Sequence, residues 1–84
     1  MQEAELFGRR LREIRKQRDL TQEALAESAD LSGNYISDLE LGRKVPSLTI
    51  IVRLSQALDV AVADLLIDFT RDAVKKMKIR EHRS

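Results

Sequence analysis

A chain of 84 residues makes one domain with a small core, burying only about 60% of the surface it exposes when unfolded, so a partner subunit is a natural source of further burial. The absence of cysteine removes disulfides, thiolate catalysis and the usual zinc frameworks, the single His82 leaves no pair for a metal, and no apolar run is long enough for a membrane span or built like a secretory signal, so a cytoplasmic protein without cofactor is expected. The net charge of +1 divides unevenly, with six basic and three acidic side chains over 1–18, three and nine over 19–70, and six and two over 71–84; a nucleic-acid partner needs only a local basic face, and the bland alternative is a pair of solvated helix faces.

Proline occurs once, glycine three times, and period-two alternation is nowhere sustained, which predicts an all-α chain of five or six helices. The first runs from about Glu3 to Arg18, turning Phe7, Leu11 and Ile14 inward and Arg9, Arg12 and Lys16 toward water, and Asp19 ends it. Thr21 is placed to cap a second helix whose apolar stripe is Leu25, Ala26 and Ala29. Leu31, Ile36 and Leu39 continue that stripe after a break at 30–32 too short to be anything but a corner, with Ser32 as the cap of the third helix and Gly42 as its stop. Arg43 to Pro46 form a loop, and Ser47 opens a fourth helix burying Leu48, Ile51, Leu54, Ala57 and Leu58, with Ile50 and Val52 off the stripe. After a corner at 59–61 a fifth helix begins with Val62, Leu65 and Leu66. Phe69, Ala73, Met77 and Arg80 lie three or four apart on one face, with Val74 beside it, which extends the fifth helix or adds a sixth.

The segment TQEALAESADLSGNYISDLELG, residues 21–42, therefore holds two short helices that cross steeply. With Leu11, Ile14, Arg15, Leu20, Thr21, Gln22, Leu25, Ala26, Ser32, Tyr35, Ile36, Ser37, Glu40, Gly42, Pro46, Leu58, Leu65 and Leu66 in place, the chain from about Phe7 to Leu66 resembles the Cro and phage-repressor helix-turn-helix proteins, the XRE family. The resemblance implies a compact five-helix bundle with a C-terminal helical extension over about 62–84, in which the third helix enters the major groove of double-stranded DNA. The family usually carries glycine where this chain has Asp19 and Asp30, positions that tend to need positive φ.

On that resemblance the base-facing positions are Gly33, Asn34, Tyr35, Ser37 and Asp38. Asn34 suits the N6/N7 edge of adenine, Tyr35 a thymine methyl or a phosphate, and Asp38 only the amino group of cytosine; Gly33 has no side chain to read with. Gln22, Ser32, Arg43 and Lys44 are the expected phosphate contacts, against the plainer reading of a solvated basic loop and a cap. Arg15 and Glu40 match a structural ion pair of the family, the alternative being Arg15 on a phosphate. Leu66, Phe69, Ala73, Val74 and Met77 are more apolar surface than the chain readily hides, giving either a homodimer interface or a fold-back onto the monomer core.

The reading is thus a sequence-specific transcriptional regulator, a homodimer on an inverted repeat, resembling the controller proteins of restriction-modification systems and almost equally the phage-type repressors. The reading from another class is an antitoxin that occupies a toxin and whose DNA binding is autoregulatory, for which a basic tail ordered only by a second protein would argue. A toxin or RNA polymerase would be the further protein partner, and no small-molecule effector is expected. No glycine-rich phosphate loop and no carboxylate pair in an apolar setting is present, so no enzyme reaction can be assembled.

Overall fold

The computed structural model describes residues 2–78. Six helices and no strand occur among them: α1 Gln2–Gln17, α2 Gln22–Ala29, α3 Gly33–Glu40, α4 Leu48–Leu58, α5 Val62–Leu65 and α6 Arg71–Lys76. Among the described residues no helix is long and apolar enough to cross a membrane.

The core is one cluster, because each helix contributes side chains at three- and four-residue spacing to the same centre. Phe7, Leu11 and Ile14 come from α1, Leu25, Ala26 and Ala29 from α2, Ile36 and Leu39 from α3, Leu54 and Leu58 from α4, and Leu65 from α5. Burial of each large side chain is worth about 1.5–3 kcal/mol. α1 packs on α3 and α5, and α2 on α3 and α4, so the second and third helices are held from both sides.

The same device closes α1 to α4. A residue in the left-handed region ends the helix, and the next N–H reaches back five residues: Leu20 to the Arg15 carbonyl at 3.2 Å, Leu31 to Ala26 at 2.8 Å, Arg43 to Asp38 at 2.9 Å and Val60 to Ser55 at 3.0 Å. The left-handed residues are Asp19 (φ 55), Asp30 (φ 58), Gly42 (φ 73) and Asp59 (φ 55). Aspartate tolerates this conformation better than most residues, though at a cost relative to glycine. At three of the four corners the residue that follows, Leu20, Leu31 or Val60, packs onto the core and pins the turn. Hydroxyl caps then start the next helices: the Thr21, Ser32, Ser47 and Thr70 side chains accept from Ala24 N at 3.0 Å, Tyr35 N at 3.0 Å, Ile50 N at 3.1 Å and Ala73 N at 3.1 Å. α5 lacks a hydroxyl cap, and the Asp64 carboxylate accepts from the Ala61 N–H at 2.9 Å instead.

Gly8 governs how closely α1 approaches α3. A Cβ at this position would lie 2.7 Å from the Glu40 carbonyl oxygen and closer still to that of Leu39, so only glycine allows the two backbones to meet there. Composition and periodicity gave no sign of this role, because an apolar stripe does not report interaxial distance.

One sequence expectation needs correction, and one open alternative closes. Leu48 is 71% exposed, because it is the first residue of α4, just past its cap, and overhangs the core that Leu54 and Leu58 fill. Of the two readings of the C-terminal segment, a long fifth helix or a sixth, the second holds: α5 ends at Leu65, a turn closed by Phe69 N to Leu66 O at 2.9 Å follows, and Thr70 caps the separate α6. Leu66, Phe69, Ala73, Val74 and Met77 therefore do not share one continuous helix face. Leu66 and Phe69 turn back onto the core cluster, and the Lys78 N–H donates to Gln2 Oε1 at 3.1 Å, which brings the end of this segment to the start of α1. Arg80 and His82 lie outside the described residues.

Candidate nucleic-acid interface

α3 is anchored on one side only. Ile36, Leu39 and Glu40 are buried, which leaves Gly33, Tyr35, Ser37 and Asp38 half-buried and Asn34 exposed. Helical spacing puts Asn34 and Asp38 on the same side one turn apart, away from Ile36. Ser32 spends its hydroxyl as an acceptor for α3's own Tyr35 N–H. Gly33, the first residue of α3, is open: a Cβ there would meet only the Glu23 side chain, at 3.6 Å.

The loop after α3 folds its cations onto this helix. Lys44 Nζ is 5.4 Å from the Tyr35 ring centroid, within range of a cation–π contact, and 3.6 Å from one Asp38 carboxylate oxygen. Arg43 is 3.8 Å from the other oxygen. Both cations are more than half exposed, so neither pair contributes more than about 1 kcal/mol. Asp38 therefore faces two cations of its own chain, a pairing across five and six residues that helix periodicity does not reveal.

Behind α3 sits a buried polar network. Arg15 Nε and Nη2 donate to the two Glu40 carboxylate oxygens at 2.6 and 3.0 Å, and Arg15 Nη1 donates to the Leu20 carbonyl at 2.7 Å. Gln22 Nε2 donates to Glu40 Oε1 at 3.2 Å. The hydrogen bond to Glu40 raises the Arg15 pKa above its ordinary value; desolvation opposes it and the charges of Glu40 and Glu23 assist. A raised cationic pKa gives stability that is complete below the unfolded value and is lost only as pH rises through the folded one, here far above neutrality, so Arg15 contributes no pH dependence in the neutral range. The network ties α1, the corner at Leu20, the start of α2 and the end of α3 into one unit. Sequence reasoning reached Arg15 and Glu40 but not Gln22's bond to the carboxylate. On the far side of α1, Arg10 Nε donates to the Asp64 carbonyl at 2.9 Å and Arg10 pairs with Glu13, which holds α5 against α1.

A helix-turn-helix family matches residues 11–65, from the middle of α1 to the end of α5. The chain belongs to the XRE family of helix-turn-helix proteins. This XRE-family chain is 47% identical over 66 residues to the control protein C.BamHI of Bacillus amyloliquefaciens, covering 77% of this chain and 80% of the relative. It is 42% identical over 59 residues to the immunity repressor protein of Bacillus phage phi105, covering 70% of this chain but only 41% of the repressor's length. Its backbone matches the restriction-modification controller protein C.AhdI of Aeromonas hydrophila with a TM-score of 0.76 at 37% identity, covering 77% of this chain and 98% of that one. The clp gene regulator ClgR of Corynebacterium glutamicum superposes with a TM-score of 0.77 at 34% identity, over 87% of this chain and 78% of that one. The protein is a DNA-binding transcriptional regulator of this family, and double-stranded DNA is its partner.

Of the five residues expected at a protein–protein contact, Leu66 and Phe69 are half-buried and line an apolar groove of about 160 Å³ with Phe7, Val45, Pro46 and Ile51. Ala73 and Met77 are half-buried, and Val74 is 51% exposed. Ile67, which sequence reasoning passed over, is 58% exposed beside them.

Proposed function

We propose that this regulator binds an inverted-repeat operator as a homodimer, each α3 lying in the major groove, with Asn34 and Tyr35 reading base edges and Ser37 at the groove wall. The observation that carries this reading is the one-sided anchoring of α3: its inner face is fixed by Ile36, Leu39 and Glu40, and Asn34 stands exposed on the opposite side. Arg43 and Lys44 serve as phosphate contacts that set register, Gln22 adds an amide from the start of α2, and Ser32 acts mainly on its own helix. Asp38 is a counter-ion for the loop cations more than a reader of cytosine, because both cations lie within 4 Å of it. Gly33 contributes no readout, and Arg15 with Glu40 is structural.

Two-fold pairing through Val74, Ile67 and the exposed parts of Leu66, Phe69, Ala73 and Met77 sets the two recognition helices about 34 Å apart. The protein is a controller-type regulator of the cytoplasm, a reading supported by the likeness to C.BamHI and C.AhdI over most of both chains. Concentration and dimerisation, without a small-molecule effector or an enzymatic step, govern occupancy. Selection from random duplexes followed by footprinting tests this: two symmetric half-sites one helical turn apart are expected, and recovery of unrelated sequences would overturn the reading.

A further inference from the structure

We infer that Arg12 on α1 is a phosphate ligand, so that the duplex backbone is held by the first helix as well as by α2 and the loop after α3. The inference rests on the DNA-binding reading above and adds to it a site that the helix-turn-helix itself does not contain.

A cleft of about 240 Å³ opens between α1, α2 and α3, lined by Arg12, Arg15, Gln22, Ser37, Glu40 and Leu41. Two of its charged groups are already spent. Arg15 gives its guanidinium to Glu40 and the Leu20 carbonyl, and Glu40 accepts from Arg15 and Gln22. Arg12 is exposed, and among the described residues its guanidinium makes no hydrogen bond and no ion pair. Other cations near the reading face are partnered: Arg43 and Lys44 face Asp38.

The lining carries Arg12, Arg15 and Glu40 and so has a net charge of +1, with the carboxylate neutralised from within. The groups left to act are donors: the Arg12 guanidinium, the second hydrogen of the Gln22 amide and the Ser37 hydroxyl. A tetrahedral anion with several oxygens matches them, and a guanidinium binds such an anion in bidentate fashion. The cleft shares Ser37 with the outward face of α3 and Gln22 with the start of α2. A duplex whose groove receives α3 therefore brings its sugar–phosphate edge past Arg12. Arg9 and Lys16, exposed three residues before and four after Arg12, continue a basic stripe along the same face of α1.

Binding to the selected operator and to a scrambled duplex, each followed over a range of chloride concentrations, tests the inference with wild type, Arg12→Gln, Arg12→Lys and Arg53→Gln. Arg53 is exposed on α4 and lines a different cleft with Ser28, Asp30 and Gln56, so it controls for loss of one positive charge anywhere on the molecule. Arg12→Gln should weaken both duplexes equally and lower the log–log salt slope by about 0.9 for each chain bound, whereas Arg12→Lys and Arg53→Gln should keep the wild-type slope. Circular dichroism melts of the variants should match wild type, since Arg12 supports no contact in the fold. An unchanged slope in Arg12→Gln overturns the inference, and so does an equal loss in Arg53→Gln, which would make the effect one of net charge. Inorganic phosphate at matched ionic strength should compete weakly and without saturation, as one anion lacks the rest of the duplex contacts; saturable displacement of DNA by millimolar phosphate from wild type but not from Arg12→Gln would make the cleft a small-anion site and overturn the assignment to the duplex backbone. Failure of wild type to bind any duplex would remove the parent reading, an outcome separate from these.

Discussion

Asn34 is exposed on the side of α3 turned away from the core, so its amide is free to meet a base edge without disturbing the fold. Asn34→Ala should cost about 1–3 kcal/mol on the selected operator, relax preference at one base pair in each half-site, and leave affinity for random duplexes unchanged; equilibrium titrations on point-substituted operators measure this. Equal losses on cognate and random DNA would place the residue on the backbone. Glu40 presents the opposite case, a carboxylate with 3% of its side chain exposed that balances the Arg15 guanidinium. Glu40→Gln should destabilise the fold by about 3–5 kcal/mol in urea unfolding, because the buried guanidinium then lacks its counter-charge. Motif position pointed to Asn34, which is exposed, and to the Arg15–Glu40 pair, which is formed. The contacts of Asp38 with Arg43 and Lys44, and of Lys44 with the Tyr35 ring, were not visible, since they depend on how a loop folds back and no fixed spacing encodes that.

At the scale of elements, the sequence announced its helices through caps more plainly than through apolar stripes. Thr21, Ser32 and Ser47 each precede a helix, and the aspartates at 19 and 30 mark left-handed corners that the family pattern flagged; Asp59 does the same work at a corner where no pattern pointed to it. Ser32→Ala should cost about 1 kcal/mol and lower the thermal midpoint by roughly 4–8 °C, with operator affinity nearly intact well below the melt. A uniform affinity loss at unchanged midpoint would assign the hydroxyl to a phosphate instead. The choice between a long fifth helix and a sixth stayed open in the sequence for a physical reason: residues 66 to 77 keep helical spacing across the Thr70 cap, and periodicity alone does not register a break when the stripe resumes in phase on the other side. Leu48 illustrates the converse, an in-phase residue placed too near a helix start to reach the core.

For the whole molecule, the proposed pairing of two chains would link stability to occupancy. If the surface around Val74 joins them, Val74→Glu should give a chain with a native circular dichroism spectrum that light scattering reports as a monomer at concentrations where wild type is a dimer. Operator occupancy should then rise linearly with protein for the variant, and with about the square of concentration for wild type at low occupancy. A dimeric Val74→Glu protein would move the interface elsewhere, for instance to the exposed Val52 of α4. The open position at Gly33 bears on how such a regulator changes its target. A glutamine at that site gains helix propensity over glycine, and its Cβ would meet the flexible Glu23 side chain at ordinary van der Waals distance. Gly33→Gln should therefore fold at least as stably and acquire a new nucleotide preference next to the one set by Asn34, readable in a repeated selection. If α3 reads base edges as proposed, a divergent promoter lies one substitution away for this regulator, with no redesign of the scaffold beneath it.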